Sequence, residues 1–387
     1  MSASDPSPFP LVGLQAVSNA RKEWVALAFE FPSDTVDALQ ASLALLNYPE
    51  AIASLAPLDC IVPVAEPLRL EASHLEGLPA HRLILRVPAG AIDEPAAQKK
   101  CAALAEQGYR IMFDGVAAKA TQSGARALMY DCATTLPPVL ALVAQPGPHL
   151  ARAVDTEQRF DACADAGFAW FMGDFARHPA QATSAGDGTS RKRLLALLGM
   201  LARDADSREL ETLLKQDPAL SYQLLKVVNS AAFALSTPIH SFGQAINVLG
   251  RRQLQRWLQL LLYARQQDDA NANPLLPLAA VRAAQMEALC REQGGDRDAQ
   301  DLAFVTGVFS LLDVLLGMPM SEIVAALNLD LDVMAALLER GGPLGQMLLL
   351  VEQPSGATLA AAGIAPESYW QGQLQAYQWA IQVSRNL

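Results

Sequence analysis

The side chains that most often carry catalysis or bind metal are sparse in this chain and lack the spacing that such chemistry needs. The 387 residues include five histidines and five cysteines, but no HExxH zinc motif, no GxSxG nucleophile motif and no GxxxxGK[ST] phosphate loop. The glycine-rich stretch GDGTS follows no predicted strand, so it does not predict a phosphate-binding loop. The motifs therefore predict no catalytic residue, no metal ligand and no cofactor contact.

The cysteines predict free thiols and no disulfide framework. Their number is odd, none stands in a CxxC spacing, and they are spread along the chain at Cys60, Cys101, Cys132, Cys163 and Cys290. Scattered cysteines of this kind are typical of proteins from a reducing compartment. We therefore expect a cytoplasmic protein.

One stretch in the second half of the chain specifies a helical module in detail. Asp217 is a good N-cap, and Pro218 suits the first helical position. Apolar residues then recur at helical spacing, while Asn229 and Ser230 place two hydrogen-bonding side chains beside the apolar face. Gly250 is placed to end the module. We interpret the Asn229–Ser230 pair as structural, because such pairs usually satisfy nearby backbone groups.

A basic patch follows this module. Arg251, Arg252, Arg256 and Trp257 fall within two turns of the next predicted helix, RRQLQRWLQLLLYARQQ. Arginine and tryptophan are the residue types that most often carry interface energy, so these four residues predict a surface for a protein partner. The alternative interpretation is a solvated basic face with Trp257 in the core.

Composition narrows the classes of partner. The chain has a formal net charge of −11 and a pI near 5.0, so it offers no broad basic field and no nucleic-acid partner is expected. The opening MSASDPSPFPLVGL has no basic residues ahead of an apolar core, which predicts no signal peptide. The apolar stretch 303–320 carries Asp313, Gly317 and Pro319, so we predict a buried helix there and no membrane contact.

The clearest boundary is HPAQATSAGDGTSRK, which lacks large apolar residues. We predict a first domain over 1–178, a linker over 179–193 and a second domain over 194–387. Nearly every segment after the linker has helical periodicity, so the second domain is predicted to be all-α. In its last predicted helix, 368–385, the aromatic residues are expected to pack into the core: Tyr369, Trp370, Tyr377 and Trp379.

In the first domain strand-like and helical stretches alternate, which indicates a parallel α/β sheet or barrel. Strands are predicted at 24–31, 82–87, 109–115 and 125–132, and helices at 96–107 and 149–167. An α/β barrel usually takes about 250 residues. We therefore expect some barrel units to be missing or shortened, with 33–60 the least regular part.

Several of these stretches resemble known families. The signature DPAL…LLKVVNSAAF…AINVLG resembles the HDOD family, a helical signalling domain related to the HD phosphohydrolases. The stretches 301–327 and 336–352 are similar to the C-terminal half of HDOD domains that follow an EAL domain. GFAWFMGDFARHP resembles the closing segment of an EAL domain, and 149–167 resembles the helix before it. The chain therefore resembles the two-domain EAL–HDOD proteins, which implies a degenerate, shortened TIM-like EAL barrel followed by an all-helical HDOD domain.

The resemblance also implies which chemistry has been lost. Active EAL domains hydrolyse cyclic di-GMP with two metal ions, held by carboxylates and an asparagine, and with a lysine that helps to position the attacking water. The family's functional positions align here with residues of other types. Ala26, Arg86 and Arg152 stand at positions of glutamates, and Glu30 stands at the position of the motif's arginine. Gly115 stands at the second aspartate of the DDF segment and Met129 at the lysine. Asp114 and Asp131 remain as single acids.

The second domain lacks the family's metal pair as well. HD phosphohydrolases bind metal through histidines that include an adjacent His-Asp pair, and none of the five histidines here precedes an aspartate: His74, His81, His149, His178 and His240. Of these only His240 lies in the second domain, where we interpret it as a loop or capping residue.

The sequence thus predicts a cytoplasmic bacterial signalling protein that is not an enzyme and that acts through protein–protein contacts of both domains. The predicted partners are other signalling proteins, the chain's own EAL-like domain or a second copy. The alternative is a receptor that binds cyclic di-GMP without metal through Arg86 and Arg152, and an active phosphodiesterase is the third hypothesis. No cofactor is predicted.

Overall fold

The computed structural model describes residues 9–32, 37–116, 124–180, 250–264, 272–327 and 329–386, and isolated positions between 199 and 247. The chain divides into two compact units, residues 1–180 and 181–387. From residue 181 onward, the predicted linker lies outside the described residues.

The first unit is a closed barrel of eight strands in sequential order. The strands are Gly13–Asn19 (β1), Trp24–Glu30 (β2), Asp59–Pro63 (β3), Leu83–Pro88 (β4), Arg110–Asp114 (β5), Ala127–Asp131 (β6), Leu150–Arg152 (β7) and Trp170–Phe171 (β8). The predicted strands at β2, β4, β5 and β6 are confirmed. The predicted α/β barrel is also confirmed, and no strand is missing from it.

One strand runs against the others. β1 pairs antiparallel with β2, and on its other side it pairs antiparallel with β8, where Ser18 lies opposite Phe171. The remaining neighbours from β2 to β8 are parallel. Because parallel strands share their direction, the carboxyl ends of β2 to β7 meet at one mouth of the barrel.

The connections are shorter than those of a full α/β barrel. The helices of this unit are Ala38–Leu46 (α1), Ala51–Ser54 (α2), Pro95–Glu106 (α3), Val139–Val143 (α4) and Glu157–Asp165 (α5). The link from β3 to β4 contains only 3-10 turns, at Pro67–Arg69, Ala72–Leu75 and Ala80–Arg82. The predicted shortening is therefore confirmed in the connections.

One predicted helix is wrong in its first part. The sequence pattern predicts a single helix over 149–167, but Leu150–Arg152 is strand β7 and the helix begins only at Glu157. Thr156 caps that helix, since its side chain accepts a hydrogen bond from the amide of Arg159. Leu150 and Ala151 are both fully buried, and a three-residue strand is too short to show a period of two.

In the second unit every regular element that the structure describes is a helix. The helices are Arg251–Ala264 (α6), Leu275–Glu292 (α7), Arg297–Phe309 (α8), Leu312–Leu316 (α9), Met320–Ala326 (α10), Leu331–Glu339 (α11), Gly342–Glu352 (α12), Gly356–Ala361 (α13) and Pro366–Asn386 (α14). The single helix predicted over the apolar stretch 303–320 is wrong, because the chain there forms the end of α8, then α9, and reaches the start of α10. No described helix is long and apolar enough to cross a membrane.

The last helix packs into this unit as predicted. Three of its aromatic residues are at most 8% exposed: Tyr369, Trp370 and Tyr377. The ring of Trp379 contacts the rings of Trp257 on α6 and Phe304 on α8. The aromatic residues of α14 therefore belong to the core.

Helices α7 and α8 meet closely at a glycine. A Cβ atom on Gly307 would lie 2.6 Å from Cα of Ala283, so the two backbones approach each other more tightly than any larger residue allows. Gly307 and Ala283 are both buried. The packing of these two helices thus depends on the missing side chain.

We predict that Gly307→Ala lowers the free energy of unfolding by about 1–3 kcal/mol, because overpacking a well-filled core costs roughly this much. The matched control is Gly356→Ala on α13, where an added Cβ meets nothing within 4 Å. Thermal unfolding followed by circular dichroism measures both. Equal melting temperatures for Gly307→Ala and the wild type would contradict the predicted close contact.

Candidate functional site

The inner face of the barrel is apolar. Along each strand the residues that fill it alternate with outward-facing ones, as a strand requires. The buried members of this interior cluster are Val17, Ala26, Ala28, Ile61, Ile84, Met112, Ala127, Met129, Leu150 and Met172. Ala26 and Met129 are both fully buried in it.

A charged layer lies directly above this interior, at the mouth formed by the carboxyl ends of the strands. Five strands each contribute one residue, two positions beyond an interior residue and therefore on the same inner face. These residues are Glu30, Arg86, Asp114, Asp131 and Arg152. We call them the mouth layer.

Arg86 and Glu30 form one ion pair of the mouth layer. The Arg86 Nη1 atom donates to Oε1 of Glu30 across β3, and the Arg86 side chain is only 14% exposed. The Glu30 side chain is 38% exposed, so the pair sits at the boundary between interior and solvent. Each charge thereby compensates the other.

Arg152 holds the two remaining acids of the layer. Its Nη2 atom lies 3.4 Å from Oδ2 of Asp131, which is its register partner on β6, and 4.0 Å from Oδ1 of Asp114 on β5. Asp131 is occupied a second time, because its Oδ1 accepts a hydrogen bond of 3.0 Å from the amide of Ala133. Arg152 therefore ties β5 and β6 to β7 through its charge.

The mouth layer does not fit a pair of divalent metal ions. Such ions need several carboxylates free to coordinate them, whereas Glu30, Asp114 and Asp131 each face a guanidinium group. Among the described residues, no group of three or more His, Cys, Asp or Glu is placed to hold a metal. The mouth layer therefore provides no ligand set for a two-metal reaction.

The five cysteines are the other candidate nucleophiles. All five are free and buried, so the predicted free thiols are confirmed. Burial raises the pKa of the Cys60 thiol to about 12 and that of Cys101 to about 11. A hydrogen bond with Cys163, together with burial, raises the pKa of Cys132. The thiols of Cys60, Cys101 and Cys132 therefore stay protonated near neutral pH, whereas the hydrogen bond with Cys132 lowers the pKa of Cys163.

In the second unit, Asn229 makes a two-way contact with the backbone. Its Nδ2 atom donates to the carbonyl oxygen of Ile239 at 2.7 Å, and its Oδ1 accepts from the Ile239 amide at 2.6 Å. Ile239 itself is 4% exposed. The side chain thus pairs with the backbone as a neighbouring strand would, and it fixes a segment ten residues away.

The other residues of the signature are only partly described. Asp217, Pro218, Ser230 and His240 lie outside the described residues. Gly250 has a φ of 76°, a left-handed conformation that favours glycine, and it directly precedes α6.

The predicted partner surface on α6 is largely used within its own unit. Trp257 is 2% exposed, as in the alternative interpretation. Arg252 and Arg256, whose side chains are 38% and 15% exposed, both pair with Glu287 on α7 and Asp301 on α8. The Arg256 guanidinium also lies 4.4 Å from the centroid of the Phe304 ring.

These contacts give the two arginines a role in holding α6 to α7 and α8. Charge reversal at either position would place an acid beside Glu287 and Asp301 and would weaken the helix packing itself. The side chain of Arg251 lies outside the described residues. A partner-binding role for the four residues stays a prediction.

Comparison with known proteins identifies one domain directly. Residues 192–326 match the HDOD domain, so the second part of the chain carries an HDOD domain. The first part is a closed eight-stranded barrel, and it is followed by the helical region that contains this domain.

Two curated proteins are similar to the chain. Over 204 residues it is 34% identical to the cyclic di-GMP phosphodiesterase CdgJ of Vibrio cholerae serotype O1, which covers 52% of this chain and 47% of CdgJ. Over 238 residues it is 29% identical to the protein YuxH of Bacillus subtilis, which covers 59% of this chain and 58% of YuxH. The chain thus spans about half the length of the curated relatives that it matches.

Among solved structures, the chain is similar to the Bacillus subtilis YkuI protein, which has an EAL domain and was solved in complex with the substrate cyclic di-GMP and calcium. The two are 12% identical, with a TM-score of 0.35, and the match covers 62% of this chain and 72% of that chain.

Asn229 provides a test of the signature's role. We predict that Asn229→Ala lowers the free energy of unfolding by about 1–3 kcal/mol, because it leaves both backbone groups of Ile239 without their partner. Asn229→Asp keeps the shape and the acceptor but loses the donor, so a smaller loss is expected. Thermal and urea unfolding measure both variants, and an unchanged stability for Asn229→Ala would show that the clamp contributes nothing.

Proposed function

We propose that this protein is a signalling protein without catalytic activity, in which the barrel acts as a binding module and not as a phosphodiesterase. The observation that supports this most is the mouth layer. Every acid in it is engaged by an arginine of the same layer, and the interior below it is filled by apolar side chains.

The charges of the layer support this over both alternatives. Three carboxylates face two guanidinium groups, which leaves a formal charge of −1. A pair of dications would meet two fixed positive charges and only one uncompensated negative charge, so the phosphodiesterase is disfavoured. An anion such as cyclic di-GMP would meet a slightly acidic layer whose arginines are already paired, which disfavours the receptor.

One relative supports a role in cyclic di-GMP signalling. CdgJ is named as a cyclic di-GMP phosphodiesterase, and it shares 34% identity over 204 residues with this chain. We propose that the present chain works in the same kind of signalling but has replaced hydrolysis by contacts with other proteins.

An exposed apolar face on the barrel supports protein contacts. Helix α4 is anchored by Leu142, which is 5% exposed, but its neighbours point into solvent. Val139, Leu140 and Val143 are 66%, 82% and 75% exposed, and Leu136 just before the helix is 38% exposed. Residues at this spacing share one helical face. Clustered exposed apolar side chains of this kind mark interaction surfaces, and we propose this face as the contact for an apolar surface of a protein partner.

We predict that the purified protein does not hydrolyse cyclic di-GMP at any magnesium or manganese concentration. Ala26→Glu alone does not restore activity, since one carboxylate cannot rebuild a two-metal site. An active EAL phosphodiesterase serves as the positive control, and product is followed by chromatography. Turnover above that of a heat-inactivated sample would contradict the proposal, and so would metal-free binding of cyclic di-GMP in a calorimetric titration, which would favour the receptor.

We predict that Leu140→Asp with Val143→Asp weakens binding to the protein partner at least tenfold and leaves the circular dichroism spectrum unchanged. The reason is that two charges would be buried without partners in an apolar contact. The partner is first captured by the wild-type chain and identified by mass spectrometry, and its affinity is then measured with purified proteins.

The matched control is Leu331→Asp, because Leu331 of the second unit is similarly exposed, at 78%. It is expected to bind like the wild type. Undiminished affinity of the double variant would remove the face on α4 as the contact.

A further inference from the structure

A cavity of about 380 Å³ lies between helices α7 and α14 of the second unit. It is separate from every residue discussed above as a site. Helix α7 lines it with Gln285, Ala288 and Leu289, and helix α14 with Tyr369, Gly372 and Gln373. Cavities of 300–1,000 Å³ with a few fixed polar groups are typical of small-molecule sites.

Two contacts between α7 and α14 show how these helices are arranged beside the cavity. A Cβ on Gly372 would lie 3.4 Å from that of Ala288, and one turn further along both helices the Arg291 Nη2 atom donates to Oε1 of Gln375 at 3.1 Å. These contacts advance together along both helices, so α7 and α14 run parallel beside the cavity.

Two buried polar side chains of α14 line the cavity. Gln373 is 5% and Tyr369 is 3% exposed, and within the described part of the chain neither Oε1 of Gln373 nor the Tyr369 hydroxyl makes a well-formed hydrogen bond. Burial raises the pKa of the Tyr369 phenol, although the nearby Gln285 amide partly offsets this effect, so the hydroxyl keeps its proton near neutral pH. Leaving such groups unpaired is unfavourable, and a suitable ligand would recover that loss.

The charges at the rim exclude an ionic ligand. Arg291 and Glu292 both line the cavity and are opposite in charge, and Arg291 is already engaged by Gln375. The other polar lining groups are amides and hydroxyls. The cavity therefore offers neither the excess of cations that a phosphate needs nor a cluster of carboxylates for a cation.

We propose that this cavity binds a neutral nucleobase or nucleoside through its lactam edge. Gln373 and Tyr369 are four positions apart on one helix and are therefore neighbours on its surface. The Gln373 Oε1 atom needs a donor, and the Tyr369 hydroxyl donates a proton. A lactam presents an N–H beside a carbonyl oxygen in one plane, which matches that pair, and amide side chains recognise base edges in the same manner.

Uridine and 3-methyluridine form the matched pair of probes for this site, because the methyl group removes only the N–H donor. The expected result is saturable binding of uridine to the full chain, measured by calorimetry and by saturation-transfer NMR, with at least tenfold weaker binding of 3-methyluridine. Gln373→Leu and Tyr369→Phe are each expected to weaken uridine binding at least tenfold. Gln378→Leu, on the exposed side of the same helix, is expected to bind uridine like the wild type.

The result that overturns the proposal is the absence of binding by uridine and guanosine at millimolar concentration, or binding that Gln373→Leu and Tyr369→Phe leave unchanged. A raised melting temperature of Gln373→Leu without any nucleoside binding would also overturn it, because the amide would then be only a buried group without a partner. Tyr369→Phe removes one oxygen only, so it keeps the test decisive if Gln373→Leu fails to fold. The outcome is independent of whether the barrel hydrolyses cyclic di-GMP.

Discussion

The pairing of arginine with carboxylate at the mouth of the barrel is the interaction on which the functional interpretation depends. A charged side chain at the inner face of a strand cannot turn outward, because the neighbouring position already faces the outer core. Glu30, Asp114 and Asp131 are thus placed at the mouth by their register, where a counter-charge stabilises them. Arg86 and Arg152 supply that counter-charge from within the chain.

The same alternation explains why the interior carries no chemistry. The inner positions below the mouth layer hold valine, alanine, isoleucine, leucine and methionine, so the barrel interior is filled by apolar side chains. Ala26 and Met129, two of the inner residues, have apolar side chains that do not bind a metal ion or a water molecule. The interior contains no charged side chain, and the acids of the mouth layer are paired with arginines of the same layer. Neither region therefore favours a charged ligand.

Sequence reasoning reached the barrel through its central strands, because their apolar runs are long enough to be recognised. It failed at β7, where Leu150–Arg152 has only three residues and the alanines at 151 and 153 suggest a helix. The free cysteines and the backbone-binding role of Asn229 were both predictable from residue type and position. The ion pairs were not, since the pairing of Glu30 with Arg86 across 56 positions depends on the order of strands around the barrel. One signal could have found the charged residues of the mouth layer, because each lies two positions after an apolar inner residue of its own strand. These residues are Glu30, Arg86, Asp114, Asp131 and Arg152.

The surface on α6 shows a second limit of residue type as a guide. Arginine and tryptophan are common in interfaces, but they are equally suited to join helices within a domain, as Arg256 does through Glu287 and the ring of Phe304. Only the position of the acids on α7 and α8 distinguishes a partner-binding role from a role in helix packing, and those acids lie more than 30 positions away in the sequence.

The central claim is that the arginines of the mouth layer occupy the electrostatic role of a metal centre. Room-temperature electron paramagnetic resonance of manganese tests it most directly, because the signal of the free ion falls when the ion binds. The account predicts an unchanged signal when the wild-type chain is added to manganese. A loss of signal equal to one or two ions per chain, removed by Asp114→Asn with Asp131→Asn, would contradict it.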